Sequence, residues 1–301
     1  MQCVICGSDI ERKDTARNLP RFVRCPHCTG YITDNTEQPE YPETYFVEKG
    51  KERRTAWRVF LDFFLYLRLR SIRRALHGTA PLLDYGCGNG KLISFLLRHG
   101  LPAEGYDPSK GAVVLARTRG IPVFDSIPEK QYALIMLWHS LEHSDCPLKD
   151  IRALHKRLVP GGRLLIAVPN ARSLESRIAT SAWFCYDWPF HRVHFTPRAL
   201  ATLLQKSGFR VESTDHVNIE YTISSLAQTF LNLFLPKNAL YTFVANRRSE
   251  KNNASAALLA GISLLVLCVF SPFLALVWLI AVAQKRTAAF ITVAERLPEA
   301  L

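Results

Sequence analysis

The run Leu82-Leu83-Asp84-Tyr85-Gly86-Cys87-Gly88-Asn89-Gly90 constrains this chain more than any other stretch. An apolar strand ends on an acid, and three glycines follow at alternate positions. Glycine is needed where the backbone takes positive φ or lets a ligand pass close, and 91–99 reads as a helix whose N-terminus faces that ligand. Seventeen residues after Gly90, a second short strand, Ala103-Glu104-Gly105-Tyr106, ends on Asp107. A carboxylate at that distance is placed to accept from ribose hydroxyls. The order strand, glycine loop, helix, strand, acid is the signature of a doubly wound α/β sheet.

Further motifs follow in register. His139-Ser140-Leu141-Glu142-His143, a helix over 149–158, Val159-Pro160-Gly161-Gly162 and the strand 163–169 come in sequence, and His194-Phe195-Thr196-Pro197 opens a helix ending at Ser207-Gly208-Phe209. Together these resemble the class I S-adenosylmethionine-dependent methyltransferases, in the branch of ubiquinone-type O-methyltransferases and glycan-cluster methyltransferases. The resemblance covers about 80–217 and implies a Rossmann-like seven-stranded sheet binding S-adenosylmethionine. Asp84, Gly86, Gly88, Gly90 and Asp107 are the cofactor-binding residues it implies, with Asp125 on the adenine side. A nicotinamide enzyme would carry Gly-x-Gly-x-x-Gly instead. Ala133 stands where relatives carry an acid at the start of the fourth strand.

Eight cysteines divide into four at the N-terminus and four scattered. Cys3-Val4-Ile5-Cys6 and Cys25-Pro26-His27-Cys28 are two C-x-x-C knuckles, the spacing of a ribbon in which Cys3, Cys6, Cys25 and Cys28 hold one structural zinc ion. Disulfides are disfavoured because no secretory signal is recognised, and a redox pair needs no duplicate. Between the knuckles acids and bases mix and Phe22 is the sole aromatic, so nucleic acid is not the expected partner.

The formal charge of +12 suits an anionic membrane. Lys49, Lys51, Arg53, Arg54, Arg58, Arg68, Arg70, Arg73 and Arg74 interleave with Trp57, Phe60, Phe63 and Phe64, which reads either as a membrane-surface helix or as a helix packed on the sheet with solvated arginines. The stretch 256–283 is apolar without one formal charge, long enough to cross a bilayer. Ser271-Pro272 divides it, and 288–296 resembles the final antiparallel strand of the methyltransferase sheet. If that strand pairs with 209–217, both ends of the insertion lie on one side of the membrane. A hairpin with its tip at Ser271-Pro272 satisfies this, flanked by Arg247, Arg248 and Lys251 before it and Lys285 and Arg286 after it. A single span and a soluble dimerisation hairpin are the other arrangements. Upstream, 221–244 is apolar and aromatic, a lid or an interfacial helix.

Methyl transfer to oxygen needs a general base, for which Glu142, His143 and His194 are the catalytic candidates, His143 and His194 sitting at motif positions. In ubiquinone-type relatives a Glu-x-x-Glu-His run can hold a divalent metal. Here His139 replaces the first acid while Glu142 and His143 match, which leaves metal binding and simple positioning both open. The aromatic stretch Trp183, Phe184, Tyr186, Trp188, Phe190 and Phe195 caps an apolar or sugar-like substrate or covers the sheet edge.

The expected organisation is a four-cysteine ribbon at 1–40, a basic amphipathic helical linker at 41–78, and a methyltransferase domain at 79–301 with a membrane-associating insertion at 219–287. The expected substrate is a hydroxyl of a lipid-linked glycan or amphipathic acceptor at the cytoplasmic face of a membrane. A quinone precursor, or a non-catalytic binding protein on the same scaffold, are the alternatives.

Overall fold

The computed structural model describes residues 1–298 except 12–15, 17–18, 20, 34–54, 218 and 247–253. A seven-stranded sheet organises the chain. Its strands are β3 (Leu82–Tyr85), β4 (Ala103–Tyr106), β5 (Val123–Phe124), β6 (Tyr132–Trp138), β7 (Leu158–Pro169), β9 (Phe209–Asp215) and β10 (Ala289–Arg296), in the spatial order β5-β4-β3-β6-β7-β10-β9. The first five pair in parallel, and β10 inserts antiparallel between β7 and β9. β6 is buried at all seven positions, as a central parallel strand covered on both faces must be. Ala133, where relatives carry an acid, is buried in this strand.

The helices α2 (Lys91–Arg98), α3 (Lys110–Arg117), α4 (Pro147–His155) and α6 (Pro197–Lys206) link these strands. α6 is opened by Thr196, whose hydroxyl accepts from the Ala199 amide, with Pro197 at the first helical position. α1 (Thr55–Ala75) buries Leu69, Ile72 and Ala75 on the domain while Arg70, Arg73 and Arg74 stay exposed, so over this half it is a packed helix. Lys49, Lys51, Arg53 and Arg54 lie outside the described residues, as do the side chains of Trp57, Arg58 and Phe60.

The N-terminal segment is built into the domain. β1 (Phe22–Arg24) pairs with β2 (Tyr31–Thr33), and β2 pairs in turn with β8 (Val193–His194), matching Tyr31 to His194 and Ile32 to Val193. Ile5, Cys6, Cys25 and Cys28 share one core with Ala199, Leu200 and Leu203 of α6. A side chain at Gly30 would meet Ile5 Cδ1 at 2.5 Å and Ala199 Cβ at 3.0 Å, so only glycine permits this approach.

Between β9 and β10 run α7 (Ile219–Asn232), α8 (Ala239–Asn246) and α9 (Ala254–Ala283). The closing strand pairs with β9 as expected, Ile291 opposite Asp215 and Arg296 opposite Phe209. The hairpin turning at Ser271-Pro272 is not formed: α9 is one continuous helix through Pro272. Proline leaves the carbonyl four residues back without its amide partner, and here the Ser271 hydroxyl donates to that carbonyl, Cys268, at 2.8 Å. Arg247, Arg248 and Lys251 lie outside the described residues.

Candidate active site

The glycine turn forms as its spacing requires, with φ of 78°, 54° and 74° at Gly86, Gly88 and Gly90. A side chain at Gly86 would lie 2.4 Å from Ser140 Cβ, so the turn is also a close approach to the strand end beyond β6. Asp107 closes the turn from the next strand. Its Oδ2 accepts from the Gly88 amide at 2.7 Å and its Oδ1 from the Ser109 amide at 2.9 Å. A carboxylate oxygen accepts more than one bond, so both retain capacity for a ligand hydroxyl.

A cleft of about 370 Å³ opens over this turn, lined by Asp84, Gly86, Gly88, Asn89 and Trp138 from the sheet side and by Phe64, Arg68 and Glu220 from above. Arg68 of α1 binds Glu220 of α7 in a bidentate pair through one edge, Nε to Oε2 at 2.8 Å and Nη2 to Oε1 at 2.5 Å, and lies 4.8 Å over the Trp138 ring. Asp84 is buried beneath. Burial pushes its pKa up to about 7, with Asp107 adding to the rise and Arg68 opposing it. Glycines too crowded for a Cβ, the Asp107 carboxylate behind the turn and the Arg68 guanidinium in the cleft lining together fit an adenosyl amino acid such as S-adenosylmethionine. Arg68 is the residue that the sequence conceals, because it is one of several arginines on a basic helix.

α7 is turned inside out relative to an ordinary surface helix. Thr222, Ser225, Gln228 and Thr229 are buried against the domain, while Ile223 and Phe234 just beyond its end are 57% and 71% exposed. Ser225 and Thr229 donate to the buried Glu175 of α5 (Leu174–Ala179) at 2.6 and 3.2 Å. Burial raises the pKa of Glu175 to about 7, the two hydroxyls pulling it back. An acid raised in the folded state contributes stability that is full below its unfolded value of 4.5 and is lost as pH rises through about 7. Glu175→Gln is therefore expected to flatten the fall in melting temperature between about pH 5 and pH 8. Melting curves across that range test this, and an unchanged slope contradicts it.

The histidines sort differently from their motif positions. His194 is 1% exposed in β8, with ring centroids of Phe22, Trp183 and His191 within 5.5 Å, and both ring nitrogens lack hydrogen-bond partners among the described residues. It lines no part of the cleft, and burial holds its pKa well below the usual value. Its position is that of an aromatic core residue where the ribbon meets the domain, which corrects its reading as a base. Glu142 and His143 do come together, joined by His191, but none of the three lines the cleft either. His139 follows Trp138 of the cleft wall with φ of +53°, stacks on Tyr221 at 3.7 Å, and approaches Glu142 Oε1 through Nδ1 at 3.3 Å. Burial, reinforced by Arg68, lowers its pKa to about 3, so it is neutral. Asp125 follows β5 and is exposed, 3.8 Å from Arg117, at the sheet edge expected for the adenine side but outside the cleft lining.

At the N-terminus the four thiols converge. Sγ atoms of Cys3 and Cys28 are 3.8 Å apart and those of Cys6 and Cys25 3.7 Å, all four lying within 4.8 Å of one another and buried. A tetrahedral zinc ion with bonds of about 2.3 Å requires edges of about 3.8 Å. None of the four is in a disulfide.

Comparison with known proteins agrees with this geometry. Residues 50–214, more than half of the chain, match the family described as "Methyltransferase domain". Ubiquinone biosynthesis O-methyltransferases of Alkalilimnicola ehrlichii and Ruegeria pomeroyi are 28% and 27% identical over 119 and 148 residues. Those alignments span 35% and 42% of this chain and 48% and 58% of theirs, so the chain spans about half the length of the curated relatives it matches. Among solved structures, phosphoethanolamine N-methyltransferase 2 of Haemonchus contortus with bound S-adenosyl-L-methionine superposes with a TM-score of 0.51 at 16% identity, covering 77% of this chain and 53% of that one. The cyclase SpnF superposes at 0.50 and 20% identity, covering 77% and 80%. Likeness at that identity shows the fold alone. The family match, by contrast, extends over the glycine turn, Asp107 and the strands that carry them, and the chain belongs to the methyltransferase-domain family, the class I S-adenosylmethionine-dependent methyltransferases.

Proposed function

We propose that this protein transfers a methyl group from S-adenosylmethionine to a hydroxyl of a membrane-borne acceptor, a lipid-linked glycan or comparable amphipathic molecule, at the cytoplasmic face. The observation that carries the membrane part is the apolar layer beside the cleft. Residues 257–283 form a helix long and apolar enough for a bilayer, with Leu258 and Leu265 each 66% exposed. α9 packs on α7 through Phe230, whose ring lies 5.2 Å from Phe270, and α7 carries Glu220 into the cleft roof. Such a surface is unfavourable in water at about 25 cal/mol per Å² and favourable in lipid.

The sheet argues for partial immersion over a crossing. β9 and β10 pair, and α7 is bonded to Glu175 and Arg68, so both lie with the catalytic domain. A spanning α9 would need the chain before it to cross as well, and that stretch carries Arg247, Arg248, Glu250 and Lys251. We therefore place α9 in the interface with its apolar surface in the acyl region and Lys237, Lys285 and Arg286 near the headgroups.

Bound S-adenosylmethionine supplies a methyl group on a positively charged sulfur. The acceptor hydroxyl would receive that methyl group and give up its proton to a base or to solvent. Asp107, held in place by the Gly88 amide, orients the ribose end, and the Arg68–Glu220 pair lines the same cleft. Of the expected base residues, His143 alone keeps partial exposure, Glu142 and His194 being fully buried. The ubiquinone-type relatives make a quinone precursor the second reading, favoured by the aromatic stretch over 183–195. The four thiols, on this reading, hold a structural zinc ion. Flotation with anionic phospholipid vesicles tests the membrane part. The full chain is expected to float and a variant lacking 254–283 to remain soluble with its cofactor affinity intact; equal flotation of both contradicts the reading.

A further inference from the structure

We infer that Arg172, Lys285 and Arg286 form a phosphate-binding site, which takes the phosphate or diphosphate that joins the polar part of the acceptor to its lipid tail. The inference rests on the membrane-borne acceptor proposed above and names the group by which it is held. Three hydrogen bonds bring the two segments together. The Leu174 amide donates to the Arg286 carbonyl at 3.1 Å, the Asn170 amide to the Ala288 carbonyl at 2.7 Å, and the Asn170 side chain to the Thr287 carbonyl at 3.0 Å. Arg172 lies between the two anchoring residues, its own amide donating to Asn170 Oδ1 at 3.0 Å. Arg172 and Lys285 are exposed and Arg286 is half-buried. Among the described residues no carboxylate forms an ion pair with any of the three. Asp215, the acid at the end of the adjacent β9, accepts instead from the Val217 amide at 2.7 Å. Like charges gathered in this way repel one another, and an oxyanion between them relieves the repulsion and accepts charged hydrogen bonds.

The helix dipole accounts for basic residues at the end of α9, but not for Arg172, which comes from the link between β7 and α5. Lys285 also takes a left-handed backbone, with φ of +54°, where helices usually end on glycine or asparagine. Glycine would make that turn at lower conformational cost, so the charge is what lysine adds. The place also fits the shape of such an acceptor. Leu276 and Leu279 of α9 are 56% and 55% exposed, and Lys285 follows six residues after Leu279. An apolar tail laid along α9 therefore ends at the three cations. On the other side, β10 lies beside β7 and β7 beside β6, whose last residue, Trp138, lines the cofactor cleft. Two strand spacings are about 10 Å. A phosphate held at Arg172 and Arg286 thus leaves a hydroxyl a few bonds away, on the first ring beyond it, to reach the methyl group.

Vesicle binding by the full chain tests the inference. Two anionic preparations in phosphatidylcholine are compared at equal total charge, one carrying a long-chain polyprenyl diphosphate and the other phosphatidylglycerol. The wild type is expected to bind the diphosphate vesicles about tenfold or more tightly, and a triple variant, Arg172→Gln with Lys285→Gln and Arg286→Gln, to lose that preference. Equal affinity of the wild type for the two preparations, or a preference kept by the triple variant, overturns the inference while leaving membrane binding in place. If the wild type binds neither vesicle, the membrane reading fails and calorimetric titration with inorganic diphosphate decides the site alone: binding by the wild type and not by the triple variant supports it, and any other result overturns it. Should the triple variant not fold, Arg172→Gln, an exposed side chain on a link, repeats each comparison.

Discussion

Asp107→Ala is expected to weaken S-adenosylmethionine binding by about 2 kcal/mol or more, roughly 30-fold, measured by calorimetric titration. Two losses combine. The ribose hydroxyls lose a charged acceptor, and the Gly88 amide loses the partner that holds the glycine turn at 2.7 Å. Asp107→Asn separates them, since an amide oxygen still accepts from Gly88 while the charge is gone. The expected order of affinity is wild type, then Asn, then Ala. Equal affinity in all three would mean that β4 does not end at the ribose site.

Replacing Cys25 and Cys28 together by serine is expected to lower zinc content by one ion per chain and the melting temperature by roughly 10 °C or more. Structural zinc contributes folding free energy on the order of 10 kcal/mol in isolated fingers. Here its loss cannot stay local. β2 of the ribbon pairs with β8, Lys206 donates to the Cys6 carbonyl at 2.5 Å, and Thr29 meets Thr196 at the start of α6 at 2.8 Å. The aromatic loop that ends in β8 should loosen with the ribbon, so acceptor recognition should suffer more than cofactor binding. Elemental analysis and melting curves check both parts. Unchanged zinc and unchanged melting would remove the ribbon from this account.

Much of the cofactor half was legible because short-range chemistry dictates it. Three alternate glycines before a helix have few backbone solutions, and an acid at the end of the next strand reaches them in any doubly wound sheet. The cysteine spacing is equally restrictive. The closing strand was legible because 288–296 supplies the edge that β9 requires. What stayed hidden depends on tertiary phase. Which arginine of a basic helix turns inward is set by how Leu69 and Ile72 seat α1, so Arg68 looked like its neighbours. His194 sits at a motif position, yet the ribbon strand β2 encloses it, and no local pattern announces that pairing. His191 belongs to no motif, and its meeting with Glu142 and His143 needs the loop's return path. Pro272 signals a break, but one hydroxyl in the preceding residue removes the reason for it.

The membrane layer and the cofactor cleft meet at α7, and the central claim is that they serve one reaction. Incubating the protein with S-adenosylmethionine labelled in its methyl group and native membranes tests it most directly. The account predicts label in the organic-extractable fraction, stable to mild alkali as an ether is, absent with Asp107→Ala and strongly reduced when 254–283 is deleted. Label confined to water-soluble small molecules or protein, undiminished by that deletion, would contradict it.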